Sequence, residues 1–279
     1  MKEIDKPESA RNVKNVEIHN EENLGAPQIS QEVHNEDNVY PVDVKSSDNE
    51  MGEEYYQAQV RAGFIRKVYG ILSIQLIMTF GTVLLFQLST IKTFIKIHQH
   101  LCANTLIFCC LAFLVLFLVL ICNRNLSRTV PYNYYFLFAI TLCESLSCGI
   151  ISSIYSFQIV ATALVLTIIT TLAITFYACT TKTDFSYCRM GMFIVFSQVF
   201  MIGLIAMIFR IDALYTLYTF LMTIIVGLYL VYDTQLIMGK FGVAYSVDDY
   251  IFATLEIYMD IIRLFLLILR IVARYSRRN

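Results

Sequence analysis

Long apolar runs dominate this chain from about residue 68 onward, at approximately 68–88, 101–122, 133–154, 157–179, 188–209, 213–238 and 250–271. About 20 residues rising about 1.5 Å each cross a hydrocarbon core of about 30 Å, so every run reads as a transmembrane helix. The seventh run is less pure than the others. Connecting segments are short, and Pro131 stands just before the third run, where a missing N–H costs little. No proline interrupts a run. In lipid the backbone must satisfy its own hydrogen bonds, so the expected fold is an all-α membrane protein, a bundle of seven transmembrane helices over residues 59–279.

Residues 1–58 break this pattern. They carry fourteen acidic and five basic side chains, hold three of the four prolines, and show no sustained periodicity. Such a composition cannot bury a core, so this segment is expected to be an acidic, disordered cytosolic tail. It lacks the basic-then-apolar start of a signal peptide. The whole chain is 57% hydrophobic and only 15% charged, against about 25% charged in soluble domains. Tyrosine must supply the interfacial belt, because there is no tryptophan; Tyr132, Tyr134, Tyr135, Tyr155, Tyr177 and Tyr187 cluster near span ends.

Basic residues set the orientation. A cytosolic N-terminus puts Arg61, Arg66, Lys67, Arg124, Arg128, Lys182, Arg189 and Lys240 on the cytosolic side, against Lys92, Lys96 and Arg210. Arg274, Arg277 and Arg278 then fall outside if the last helix crosses fully, or return to the cytosol if it is re-entrant. The length of the 250–271 run favours a full crossing.

Candidate chemistry is confined to a few positions. All eight cysteines lie in the apolar body without zinc-type spacing, and read as small hydrophobes between helices. His98 and His100 lack a carboxylate or thiol framework, so a solvated loop is the expectation rather than a metal site. Four acids fall inside spans: Glu144, Asp233, Glu256 and Asp260. A central charge costs about 2.5–3.5 kcal/mol on insertion, so these must face protein or water and find partners. At about 100° per residue, Glu256, Asp260, Arg263 and Arg270 share one stripe of the last helix, which is expected to look into the bundle. Asp260 and Arg263 are close enough along the helix to pair. Asp233 has no base one turn away and requires a partner from another helix, or a proton.

The stretch VYDTQLIMG (231–239), followed by DDYIFATLEIYMDIIRLFLLIL (248–269), resembles the Lifeguard branch of the Bax-inhibitor transmembrane family. FIRKVYGILSIQL (64–76), TLCESLSCG (141–149) and TKTDFS (181–186) fit the same ordered pattern, from about 61 to 271. The resemblance implies a seven-helix fold with the last helix central. It also implies calcium leak from endoplasmic reticulum or Golgi stores and suppression of cell death. Calcium would be the permeant ion rather than a cofactor. The implied partners are the bilayer and cell-death regulators or calcium-release channels, with no nucleic acid. In the wider family two aspartates on the last two helices form a pH-sensitive latch over the pore, and here they match Asp233 and Asp260. This chain departs by placing Glu256 where a small polar residue is usual and Arg263 where an uncharged one is usual. Glu144 is a further candidate for the ion path. Asp184, with Ser186, is a candidate helix cap or a residue at the cytosolic mouth.

Paired carboxylates make a latch physically reasonable. Two acids in a poorly hydrated site titrate as a unit around one shared proton, and the ionised pair is a hard-oxygen site suited to Ca²⁺. Intramembrane aspartyl proteolysis is the remote alternative, but the second aspartate lies in YMDII rather than Gly-x-Gly-Asp and no proline follows Pro131. No enzyme is expected. A seven-helix receptor lacks its Asp-Arg-Tyr and Asn-Pro-x-x-Tyr elements here. A non-conducting scaffold that binds cell-death proteins is the main rival to a channel.

Overall fold

A computed structural model describes residues 44–185, 189–240 and 245–278. Two units divide the chain, Met1–Ser47 and Asp48–Asn279, and the fold is that of the second. Residues 1–43 of the acidic segment, together with Ser186, Tyr187 and Cys188, lie outside the described residues. Helix α1 (Val44–Leu85) opens within the rest of the segment assigned to the tail. There follow α2 (Ser89–Ile97), α3 (Gln99–Cys122), α4 (Arg124–Arg128), α5 (Tyr132–Ser153), α6 (Phe157–Thr180), α7 (Arg189–Ile208), α8 (Asp212–Met238) and α9 (Tyr250–Arg278). No strand occurs among the described residues.

Among the described residues, six helices are long and apolar enough to cross a membrane: α1 over Gly52–Leu85, α3, α5, α6, α7 over Met190–Ile208, and α8. The expected seventh span is helical over Tyr250–Arg278, but Glu256, Asp260 and Arg263 interrupt its apolar run. Its packing explains how a helix so charged is accommodated. Ile251, Leu255, Ile257, Tyr258, Ile261, Leu264, Phe265 and Leu269 are all buried, on every side of α9. Helices α5, α6 and α8 pack against it, and Phe80 of α1 meets Phe265 edge-on at 5.8 Å. Protein covers most of α9, and Arg263 is its main exposed side chain before the C-terminal end. The outer helices show the opposite pattern, with Phe108 and Leu111 of α3, Leu172 and Phe176 of α6, and Phe193 of α7 exposed. Together these features make the chain an integral multi-pass membrane protein.

Both ends of α9 are fastened. At its start, Arg128 donates to both carboxylate oxygens of Asp249, at 2.7 and 2.9 Å. That carboxylate, by hydrogen bond first and charge second, pushes the Arg128 guanidinium above its ordinary value. Asn133 Nδ2 donates to the Tyr250 hydroxyl at 2.9 Å, and Lys67 Nζ lies 3.3 Å from the centre of the Tyr250 ring. At the far end, Arg274 donates to the main-chain oxygen of Asp212 at 3.0 Å. Helix α9 is therefore one continuous helix whose far end meets the start of α8.

Two local expectations are corrected. The expected loop around His98 shrinks to one exposed turn residue, His98 itself, between α2 and α3, with its ring centre 4.6 Å from that of Phe94 and the two rings tilted at 45°. Lys92 of α2 donates to the main-chain oxygen of Tyr155 at 2.7 Å. Burial first and nearby Lys96 second hold its ammonium below the ordinary lysine range. The cysteines are not uniformly interior. Cys109 and Cys148 are buried, whereas Cys110, Cys122 and Cys179 are exposed on the apolar surface. A thiol is apolar enough to face lipid as readily as a neighbouring helix.

Candidate functional site

A cavity of about 430 Å³ opens between α3, α7, α8 and α9. Its walls carry three acids, Asp233, Glu256 and Asp260, and two bases, Arg124 and Arg263. The rest of the lining is largely aromatic, including Phe193, Phe196, Tyr229, Tyr232 and Phe252. Helix geometry explains the convergence. Asp233 lies about 7.5 Å in from the C-terminal end of α8, and Asp260 about 15 Å in from the start of α9, at about 1.5 Å per residue. Because the two helices run antiparallel, both positions are reached from the same end of the pair, and both side chains line the one cavity.

Asp260 is 4% exposed and Asp233 is 8% exposed, and Asp233 is the hydrogen-bonding neighbour of Asp260 across the helix pair. Arg263 Nη1 stands 3.6 Å from Asp260 Oδ1, with the arginine side chain 50% exposed. Among the described residues the second oxygen, Asp260 Oδ2, is buried with no hydrogen-bond partner. Glu256 is half-buried and close enough for its charge to act on Asp260. The charged stripe of α9 thus faces this lateral cavity rather than the bundle axis, because α9 itself occupies the axis.

Glu144 stands apart from the cavity lining, half-buried on α5, yet within electrostatic reach of Arg263. Arg263 therefore lies within reach of acids on both α5 and α9. Ser145, its neighbour in sequence, belongs to a separate buried seam. Ser145 Oγ lies 2.9 Å from Thr79 Oγ1, which lies 2.8 Å from the Tyr258 hydroxyl, while Gln75 Nε2 donates to Thr141 Oγ1 at 2.7 Å. This seam joins α1, α5 and α9 beside the cavity. Serine and threonine hydroxyls satisfied in this way hold helices together without a net charge.

Asp184 lies in the irregular stretch 181–185 and is half-buried. The described part of α7 begins at Arg189, and Ser186 lies outside the described residues. The stretch is held by α8. Gln235 Oε1 accepts from the Phe185 N–H at 3.3 Å, and Gln235 Nε2 donates to the Thr183 oxygen at 3.0 Å. Lys240 donates to the oxygens of Ala178, Cys179 and Thr181, closing the carbonyl end of α6. Gly239 makes this reversal possible, with φ of 68°. The signature around Asp233 therefore does two jobs: the aspartate lines the cavity, while Gln235 and Lys240 anchor the loop beside it. Arg124, which lies 5.8 Å from the Phe252 ring centre, was legible in sequence only as one more basic residue.

Comparison with known proteins agrees with this architecture. The family described as inhibitor of apoptosis-promoting Bax1 matches residues 61–278. Lifeguard 3 of Mus musculus is 33% identical over 234 residues, covering 81% of this chain and 74% of that protein. Lifeguard 3 of Homo sapiens is 32% identical, covering 78% of this chain and 71% of that protein. Lifeguard 4 of Mus musculus is 30% identical, covering 78% of this chain and 88% of that protein.

Proposed function

The chain belongs to the Lifeguard branch of the Bax-inhibitor family, and on that premise we propose that it is a pH-sensitive calcium leak channel of an intracellular membrane. In this reading it modulates calcium stores and thereby suppresses cell death, in the endoplasmic reticulum or Golgi. The N-terminus lies in the cytosol, α9 is the seventh crossing, and the cavity is the vestibule entered from the cytosolic end.

The observation that carries the reading is the meeting of Asp233 and Asp260 across α8 and α9 in one cavity. With one proton between them, the two carboxyls join the helices. Loss of that proton leaves two negative charges in a poorly hydrated site, and their repulsion favours separation. The same loss creates an oxygen-rich site for a hard divalent cation. Flux therefore rises with pH as the shared proton leaves. Arg263 offsets part of the negative charge, and Glu256 adds to it.

The test is calcium flux through purified protein in liposomes. Wild type is expected to show leak that rises between about pH 6 and 8, as the shared proton is lost. Asp233→Asn and Asp260→Asn are each expected to remove most of that dependence, since an amide does not ionise. Unchanged pH dependence in both variants overturns the latch. No flux from folded wild type overturns the channel and selects the non-conducting scaffold.

A further inference from the structure

A second cleft, of about 410 Å³, lies at the opposite end of the α8–α9 pair, where α8 begins and α9 ends. We propose that it binds the phosphate headgroup of an anionic phospholipid. Its position supplies the first argument. Asp212 begins a membrane-crossing helix, so the cleft sits at the level where that helix leaves the apolar core and headgroups begin.

The chemistry of the lining supplies the second. Arg274 is held in place by neutral groups: the Asp212 main-chain oxygen at 3.0 Å, the Thr216 hydroxyl, and the face of Tyr215 with 4.7 Å to the ring centre. Its carboxylate neighbour, Asp212 Oδ1, is 3.9 Å away on a side chain that is 98% exposed, and so does little to neutralise it. The guanidinium is thus oriented while most of its charge stays uncompensated. Arg277 follows one turn later, is exposed, and has no ion-pair or hydrogen-bond partner among the described residues. Two arginines one turn apart match the forked geometry that phosphate oxygens accept. Helix α8 opens without a side-chain cap, so the positive end of its dipole adds to the same field.

The third argument is the apolar wall. Phe220 and Ile271 line the cleft beside the arginines, and Phe220 is exposed. An acyl chain running down α8 would cover it. A free phosphate has no use for that wall, whereas a phospholipid places its charge on the arginines and its chain on the phenylalanine.

The experiment uses full-length protein in neutral detergent, titrated with dioctanoyl phosphatidic acid and read by native mass spectrometry. Wild type is expected to retain one phosphatidic acid well above the level of dioctanoyl phosphatidylcholine. Arg277→Gln removes a charge that holds no helix in place, and is expected to weaken retention by about tenfold, the loss of one charge-assisted contact. Arg274→Gln is expected to weaken it at least as much, with circular dichroism confirming the fold. If that variant does not fold, Arg277→Gln alone decides. Lys96→Gln, a charge removed at the same end but outside the cleft, is expected to leave retention unchanged. Equal retention of the choline lipid, or no loss in Arg277→Gln, overturns the site. Displacement of the lipid by equimolar inorganic phosphate or glycerol phosphate overturns the lipid assignment, because a soluble anion would then suffice.

Discussion

Arg263 offers the sharpest perturbation of the cavity. Its guanidinium lies 3.6 Å from Asp260 Oδ1, and two unit charges at that distance interact by about 4.6 kcal/mol at an effective dielectric near 20, or about 1.2 kcal/mol in bulk water. The arginine side chain is 50% exposed, which moves the pair toward the aqueous limit, so about 2 kcal/mol is the expected coupling. Arg263→Gln removes the base and leaves Asp260 buried beside Glu256 and Asp233. For a protein of this size 1 kcal/mol moves the unfolding midpoint by about 2–4 °C, so a drop of about 4–8 °C is expected. A thermal double-mutant cycle with Asp260→Asn in nanodiscs, at one scan rate, isolates the pairwise part. Adding Glu256→Gln to Arg263→Gln is expected to recover part of the loss, because one of the stranded acids is gone. If Arg263→Gln and Asp260→Asn add within about 0.5 kcal/mol, the pair contributes no coupling, and Arg263 is not the counter-charge.

Three further outcomes are expected. Gly239→Ala forces a Cβ onto a backbone with φ of 68° and to within 2.7 Å of Arg61 Nε, and should cost about 1–2 kcal/mol in the same melting assay. Tyr258→Phe removes the hydroxyl 2.8 Å from Thr79 Oγ1 in the buried seam, for about 1 kcal/mol; Thr79→Val should cost less in that background than in wild type, since only its contact with Ser145 Oγ then remains to be lost across the seam. A chain begun near Tyr55 should insert and elute as a single species on size exclusion, because the acidic composition before it cannot contribute a core.

Much of this protein is determined by local sequence, and the reason is the bilayer. Each crossing must satisfy its own backbone, so a run of apolar residues is nearly sufficient for a helix, and the expected spans match α3, α5, α6, α7 and α8 to within a few residues. Periodicity alone also puts Glu256, Asp260 and Arg263 on one stripe. It does not say what the stripe faces. Only packing decides that α9 is enclosed over most of its surface, that its charged face meets a lateral cavity, and that Asp233 reaches that cavity from 27 residues earlier in the chain. The reach of Arg263 to Glu144 depends likewise on how α5 and α9 pack, a separation of 119 positions that no pattern along the chain encodes. The anchoring of residues 181–185 by Gln235 and Lys240 was hidden for the same reason: a polar side chain shows in sequence what it can donate, but not which carbonyl another helix will present to it. Helix formation in a membrane is local, whereas charge pairing and cavity shape depend on which helices become neighbours, and that is set by the fit of the whole bundle.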